Sequence, residues 1–108
     1  MIQGWKLWLD DQADLVLDDG TILRPTPEGF ITAHSSDHAK MLVKVKGPPE
    51  FMDLDCDLGA DDSAMKFLKW LAYEYDCKPP LYAIHSENCV ERLNVASFME
   101  SWRKSLDL

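Results

Sequence analysis

The sequence contains no long apolar run, and basic residues are scarce in it. A membrane-spanning helix needs about 20 consecutive apolar residues, so we expect no membrane contact. Lys and Arg number 11 against 19 Asp and Glu, which gives a formal net charge of −8 at pH 7. Broad binding to a nucleic-acid backbone needs clustered Lys and Arg, and the acidic balance argues against it.

Cysteine is also scarce, at Cys56, Cys77 and Cys89. No CxxC pair is present, which argues against a structural zinc site. Met1–Leu9 carries one lysine and no small-residue cleavage site, so a secretory signal peptide is not indicated. An odd number of cysteines without such a signal predicts free thiols in a reducing cytoplasm.

The 108 residues suffice for one compact domain and leave little room for a second. Hydrophobic residues make up 46% of the chain, enough for a core and too many for a disordered chain. No internal repeat, low-complexity tract or linker divides the sequence. We therefore predict a single domain over residues 1–108.

Apolar runs typical of buried strands alternate with segments of helical periodicity from Phe30 onward. The predicted core strands are Trp5–Leu9, Phe30–Ala33, Glu50–Leu54 and Leu81–Ile84. The predicted helices run from a cap at Ser35, Ser36 or Asp37 to Lys46, from Ala64 to Tyr75, and from Glu91 to Ser105. The apolar side of the last helix is predicted to hold Leu93, Val95, Phe98, Met99, Trp102 and Leu106. This order indicates an α/β fold, a mainly parallel sheet of about four core strands with helices on its faces.

A β-hairpin is predicted between the first two core strands. Leu15–Leu17 and Thr21–Leu23 are β-prone runs that flank Asp18–Gly20, and an Asp-Gly turn between such runs is a strong hairpin signal. The hairpin follows an acidic pair directly. It is therefore a candidate lid for a nearby site, or a docking surface for a protein partner.

Polar residues follow three of the four predicted core strands. In an open parallel sheet, ligands bind at the carboxyl ends of the strands, so we expect these groups to converge. They are Asp10 and Asp11 after the first strand, Asp55 and Asp57 after the third, and His85, Ser86 and Asn88 after the fourth.

Such convergence of carboxylates is costly without a cation. Two carboxylates about 4 Å apart repel by about 4 kcal/mol at a surface-like dielectric. Hard oxygen ligands suit Mg²⁺ or Mn²⁺, and Mg²⁺ commonly pairs one or two carboxylates with a substrate phosphate. The pattern therefore favours a metal site that handles a phosphorylated small molecule.

The acidic segment Asp53–Asp57 permits two other interpretations. It begins like an EF-hand calcium loop, but that loop needs Gly at its sixth place and an acidic residue at its twelfth. Leu58 and Ala64 stand there, so an EF-hand is rejected. The segment also matches the DxD motif of haloacid-dehalogenase-type phosphatases, with Asp53/Asp55 or Asp55/Asp57 as the pair.

Other polar and aromatic groups have structural explanations. Asp18 and Asp19 suit the hairpin turn, and Asp61 and Asp62 suit a helix cap. The remaining candidates are assigned to surface, capping or core positions: His34, His38, Trp5, Trp8, Trp70 and Trp102. No basic patch accompanies the tryptophans, which argues against base stacking.

Several motifs together resemble a known family, the cyclic-phosphate-processing receiver-like domains of bacteria and phages. The matching segments are Lys6–Asp11 (KLWLDD), Arg24–Phe30 (RPTPEGF), Leu54–Gly59 (LDCDLG), Ile84–Asn88 (IHSEN) and the downstream Arg92. Each motif is weak alone, whereas their order and spacing are fairly specific. The resemblance covers nearly the whole chain.

The resemblance implies a flavodoxin-like receiver fold with an acidic site. By position, Asp10 and Asp11 resemble its metal pair, and Asp55 resembles the phosphoacceptor, with Asp57 as a further acid. Asp55 is then also a metal ligand, and His85 an acid–base group. The positions implied to bind phosphate are Ser86, Asn88, Arg92 and Arg24.

The sequence departs from the family pattern in several places. Cys56 replaces a His, Glu91 replaces a Gly and Phe30 replaces a Trp. No fifth strand with the receiver lysine is evident, which argues against phosphorelay signalling.

Three functions remain open from the sequence. The first is a small metal-dependent phosphoesterase acting on a nucleotide or RNA-end cyclic phosphate. The second is a non-catalytic acidic module that binds or inhibits a basic partner. The third is a degenerate receiver domain that accepts phosphate as a switch.

Overall fold

The computed structural model describes residues 4–59, 61–85 and 91–106. In chain order, the elements are β1 (Lys6–Leu9), β2 (Leu15–Val16), β3 (Ile22–Leu23), β4 (Phe30–Ala33), α1 (Ser36–Lys46), β5 (Phe51–Leu54), α2 (Ala64–Trp70), β6 (Leu81–Ile84) and α3 (Arg92–Ser105). Within these ranges, no helix has the length and apolar character needed to cross a membrane.

Four strands form a parallel sheet in the order β4-β1-β5-β6, and β2 pairs with β3 as a separate antiparallel hairpin. The α/β fold, its flavodoxin-like receiver arrangement and the hairpin predicted from the sequence are confirmed. The last residues of the strands lie side by side, because Leu9 pairs with both Ala33 and Leu54, and Leu54 pairs with Ile84. The residues that follow these strands therefore emerge at one level of the sheet.

The two faces of the sheet carry different side chains, as the period-two alternation of strands requires. Leu7, Leu9, Met52 and Leu54 are buried in the main core, which also contains side chains from all three helices. Trp8 and Asp53 are register partners on the opposite face. There the aromatic rings contact one another, at centroid distances of 5.5 Å for Trp8–Phe30 and 6.1 Å for Phe30–Phe51.

Side-chain caps fix the starts of α1 and α2. Ser35 accepts a hydrogen bond from the His38 amide at 3.0 Å, and Ser63 accepts one from the Lys66 amide. The Asp62 carboxylate also accepts from the Ser36 amide at 2.8 Å, which ties the start of α1 to the loop before α2. Both helix starts therefore follow from capping residues visible in the sequence.

The helix predicted from Ala64 to Tyr75 changes its winding near the middle. α2 ends at Trp70, and Leu71–Tyr75 forms a π-helical turn. The Asp76 amide donates to the Leu71 carbonyl at 3.0 Å, and Asp76 adopts a left-handed conformation at φ 64°. Apolar periodicity places side chains on a face but does not distinguish between these hydrogen-bond patterns.

α3 buries a narrower stripe than the sequence predicts. Val95, Met99 and Trp102 are buried, whereas Leu93 is 81% exposed and Leu106 is 42% exposed. The prediction is wrong for these two leucines. Leu93 precedes Val95 by two positions, which places it about 200° around the helix from the buried stripe.

Because Met99 is buried and Leu93 is exposed, truncating the two side chains should lower the stability of the protein by different amounts. Met99→Ala removes a buried side chain and should lower the free energy of unfolding by about 2–5 kcal/mol. Leu93→Ala, the matched control, should change it by less than about 0.5 kcal/mol. Urea unfolding followed by tryptophan fluorescence measures both, and equal losses would contradict the packing of α3.

Candidate functional site

The sheet itself sets the positions of three site residues. Asp10, Asp55 and His85 each come directly after a strand, and their amides extend the hydrogen-bond ladder. These bonds are Asp10 N to Ala33 O at 3.0 Å, Asp55 N to Leu9 O at 2.8 Å, and His85 N to Leu54 O at 3.1 Å. The hydrogen bonding of the sheet therefore continues into the backbone of the site.

The structure brings these three side chains together. One ligand atom from each of Asp10, Asp55 and His85 lies within 4.8 Å of the other two. Asp10 is 1% exposed and Asp55 is 6% exposed. The sequence argument about strand ends therefore predicted a real convergence of two buried carboxylates and an imidazole.

Asp10, Asp55 and His85 form a pocket, which the side chain of Arg24, the residue after β3, also contacts. Its Nη2 atom lies 2.8 Å from Asp10 Oδ2 and 3.7 Å from Asp55 Oδ2. The guanidinium therefore supplies positive charge to both carboxylates.

His85 is held on three sides. Its Nδ1 atom lies 2.8 Å from Asp53 Oδ1, and its Nε2 atom lies 3.2 Å from Asp10 Oδ2. The ring stacks on Trp8 with centroids 4.0 Å apart and planes 7° apart. An ionised carboxylate only accepts hydrogen bonds, so both contacts are satisfied together when His85 donates from both nitrogens as an imidazolium.

Asp53 and Trp8 are neighbours of the site. The sequence pattern indicates Asp53 only as one member of a possible DxD pair, and it assigns Trp8 to the core. Each lies two residues before a site residue, Asp53 before Asp55 and Trp8 before Asp10. Period-two alternation places such residues on the same face, so the signal was available. What the sequence did not reveal is that His85 folds back along that face to contact both.

Asp11 and Asp57 lie outside the group formed by Asp10, Asp55 and His85. Asp11 is partly buried, whereas Asp57 is exposed and accepts from the Gly59 amide at 3.1 Å. Burial, and then the charge of Asp10, raise the pKa of the Asp11 carboxyl. These two residues add negative charge near the buried pair.

Of the three other predicted phosphate-binding residues, the structure describes one. Ser86 and Asn88 lie outside the described residues. Arg92 is the first residue of α3 and is exposed.

The cysteines correct one expectation. Cys56, 4% exposed between Asp55 and Asp57, is bonded in a disulfide, so the prediction of a free thiol is wrong there. Cys77 is a free thiol, and burial raises its pKa to about 11. Cysteine count and spacing do not show which sulfur atoms the fold brings within bonding distance.

The pKa of the Asp55 carboxyl is raised, first by burial and then by the nearby charge of Asp10. Arg24 and His85 act in the opposite direction and do not cancel the effect. The pocket therefore disfavours ionisation of the Asp55 carboxyl, and additional positive charge would relieve this.

Comparison with known proteins gives one match. The sequence matches the family described as the cyclic-phosphate processing receiver domain over residues 5–101. No curated protein and no solved structure matches the chain. The matched range includes Asp10, Arg24, Asp55 and His85, the four residues that meet in the pocket.

The raised pKa predicts that Asp55→Asn stabilises the cation-free protein at neutral pH. The folded state binds this proton more tightly than the unfolded state, so stability falls as pH rises from about 3.8 through the raised pKa. At pH 7 the variant should melt a few degrees higher than the parent protein, and the gain should vanish at low pH.

Thermal unfolding in EDTA across this pH range measures the effect. Asp18→Asn removes the same charge from the exposed hairpin tip and serves as the matched control. A lower melting temperature for Asp55→Asn at pH 7, or a gain that persists in acid, would contradict the account.

Proposed function

Because the chain belongs to the cyclic-phosphate processing receiver domain family, we propose that it is a metal-dependent phosphoesterase acting on a cyclic phosphate of a nucleotide or an RNA end. The observation that carries the proposal is the meeting of Asp10, Asp55 and His85 ligand atoms within 4.8 Å. Two buried carboxylates beside an imidazole supply both a cation site and a proton carrier.

The carboxylates of Asp10 and Asp55 would hold the cation, with Asp11 close by. Their fit to a divalent ion rests on burial, since two nearly inaccessible carboxylates share one pocket and the pKa of Asp55 is raised. Oxygen donors suit Mg²⁺ or Mn²⁺. A bound divalent ion would polarise a phosphoryl oxygen and offset its developing negative charge.

His85 is the proposed acid. Hydrolysis of a 2′,3′-cyclic phosphate adds water to phosphorus, with release of one water proton to solvent, and breaks one bond to a ribose oxygen, which must receive a proton. The imidazolium of His85 carries such a proton on Nε2, at the edge that faces Asp10. Asp53 fixes the ring through Nδ1 and is a positioning residue.

Phosphate oxygens would be bound by cationic and hydrogen-bonding groups. The Arg24 guanidinium already faces the pocket. Arg92 begins α3, and a helix N-terminus favours anions. The family resemblance adds Ser86 and Asn88 to this proposed set.

A second candidate function is the binding of a basic protein. Aliphatic side chains of the hairpin region are 41–69% exposed, namely Leu15, Val16, Leu17, Ile22 and Leu23. Asp14, Asp18 and Asp19 surround them with negative charge. This surface suits an apolar patch bordered by Lys and Arg, and such binding is compatible with catalysis.

Turnover of 2′,3′-cyclic nucleotides tests the proposed function. The EDTA-stripped protein should be inactive and should regain hydrolysis with Mg²⁺ or Mn²⁺, followed by chromatography of the nucleotide products. Asp10→Asn should lose at least about 100-fold in rate because one of the two carboxylates that would hold the cation is removed. Its fold should persist, and Asp18→Asn should retain full activity.

Full activity of Asp10→Asn would contradict the site assignment. An inactive parent protein whose melting temperature does not respond to either cation would contradict metal-dependent catalysis. Capture of a basic protein through the hairpin would then favour the second function.

Asp53→Asn separates positioning from cation binding. The variant should keep the cation affinity of the parent protein, because Asp53 lies behind His85. Its kcat should fall while KM changes little, because the His85 ring loses the carboxylate that holds it through Nδ1. Reduced cation affinity with an unchanged kcat would show that Asp53 belongs to the cation site instead.

A further inference from the structure

We propose that Arg24 is the built-in counter-ion of the acidic pocket and that an incoming divalent cation displaces it. The inference rests on the proposed function, since it requires the pocket to take up a cation. It adds a competition between the protein's own guanidinium and the metal, and it couples the site to the hairpin.

The charges around Asp10 support this role. Asp10 is almost completely buried, and a buried carboxylate is strongly unfavourable without a partner. Its Oδ2 atom contacts both Arg24 Nη2 at 2.8 Å and His85 Nε2 at 3.2 Å. Arg24 Nη2 is also the atom that approaches Asp55 Oδ2, at 3.7 Å.

The guanidinium and a metal ion compete for the same oxygens. A cation bonded to Asp10 and Asp55 would sit about 2.0–2.6 Å from their carboxylate oxygens. An Arg24 nitrogen 2.8 Å from Asp10 Oδ2 obstructs that approach, and like charges repel. Occupancy by one therefore weakens occupancy by the other.

Arg24 is linked to the base of the hairpin. The Asp14 amide donates to the Arg24 carbonyl at 3.0 Å, so these two residues join the hairpin ends. Both have positive φ, 60° at Asp14 and 52° at Arg24, a backbone conformation that is unfavourable for residues other than glycine. The contacts of the Arg24 guanidinium with Asp10 and Asp55 help to hold the base of the hairpin in place. Displacement of Arg24 should therefore loosen the hairpin base.

Displacement also gives Arg24 its second partner. A guanidinium released from the carboxylates is suited to bidentate binding of phosphate oxygens. Arg24 would thus pair with Asp10 and Asp55 in the free protein, and with the substrate phosphate after the cation has bound. Cation binding should accordingly precede tight phosphate binding.

Cation titration of Arg24→Gln tests the competition. In isothermal titration with Mn²⁺ on EDTA-stripped protein, Arg24→Gln should bind at least about tenfold more tightly than the parent protein. Arg103→Gln is the matched control, since it removes the same charge from an exposed position in α3. It should bind like the parent, and Arg24→Lys should return affinity toward the parent value.

Thermal unfolding and hydrogen exchange separate this role from a structural one. Without a cation, Arg24→Gln should melt below Arg103→Gln, and saturating Mn²⁺ should raise its melting temperature by more. In the parent protein, Mn²⁺ should speed amide exchange at Asp14. A merely structural Arg24 would lower the melting temperature without tightening cation binding.

The outcomes distinguish this inference from the proposed function. If the parent protein binds Mn²⁺, Asp10→Asn does not, and Arg24→Gln binds no more tightly, the competition is overturned while the metal site stands. If neither the parent nor Arg24→Gln binds Mn²⁺ or Mg²⁺, displacement and metal-dependent function are both overturned. If Arg24→Gln is also as stable as Arg103→Gln, the counter-ion role is overturned too.

Discussion

The burial of the Asp10 carboxylate beside that of Asp55 is the constraint on which the site depends. Parallel pairing of β1 with β5 brings the two residues to the same level, and their amides extend the ladder. Neither backbone can move away without disturbing strand pairing. The negative charge must therefore be balanced by neighbouring groups, and their arrangement follows from that need.

The neighbouring side chains either balance the negative charge of the two carboxylates or hold the groups that balance it. Arg24 brings a guanidinium from outside the sheet, and His85 turns back to place its ring between Asp53 and Asp10. The Trp8 ring stacks against one face of the His85 ring. A His85 ring held by two carboxylates and an aromatic face is restricted in position, which suits a group that transfers protons.

The sequence predicted the strands, the hairpin and the convergence of strand ends well, because apolar periodicity and turn residues are local signals. Phe30–Ala33 and Leu81–Ile84 have the predicted bounds. The Arg24 contacts, the His85–Asp53 bond and the disulfide at Cys56 depend on tertiary placement that local patterns do not encode. The π-helical turn after Trp70 and the exposure of Leu93 show the same limit within helices.

Asp10, Asp55 and His85 are proposed to form one cation-binding pocket. Substoichiometric Mn²⁺ probes this pocket, because paramagnetic broadening reports distance from the bound ion at each assigned NMR signal. We expect selective loss of the Asp10, Asp55 and His85 amide signals and of the Trp8 indole signal. Broadening centred on the hairpin tip at Asp18 and Asp19, or no selective broadening, would contradict the proposed pocket.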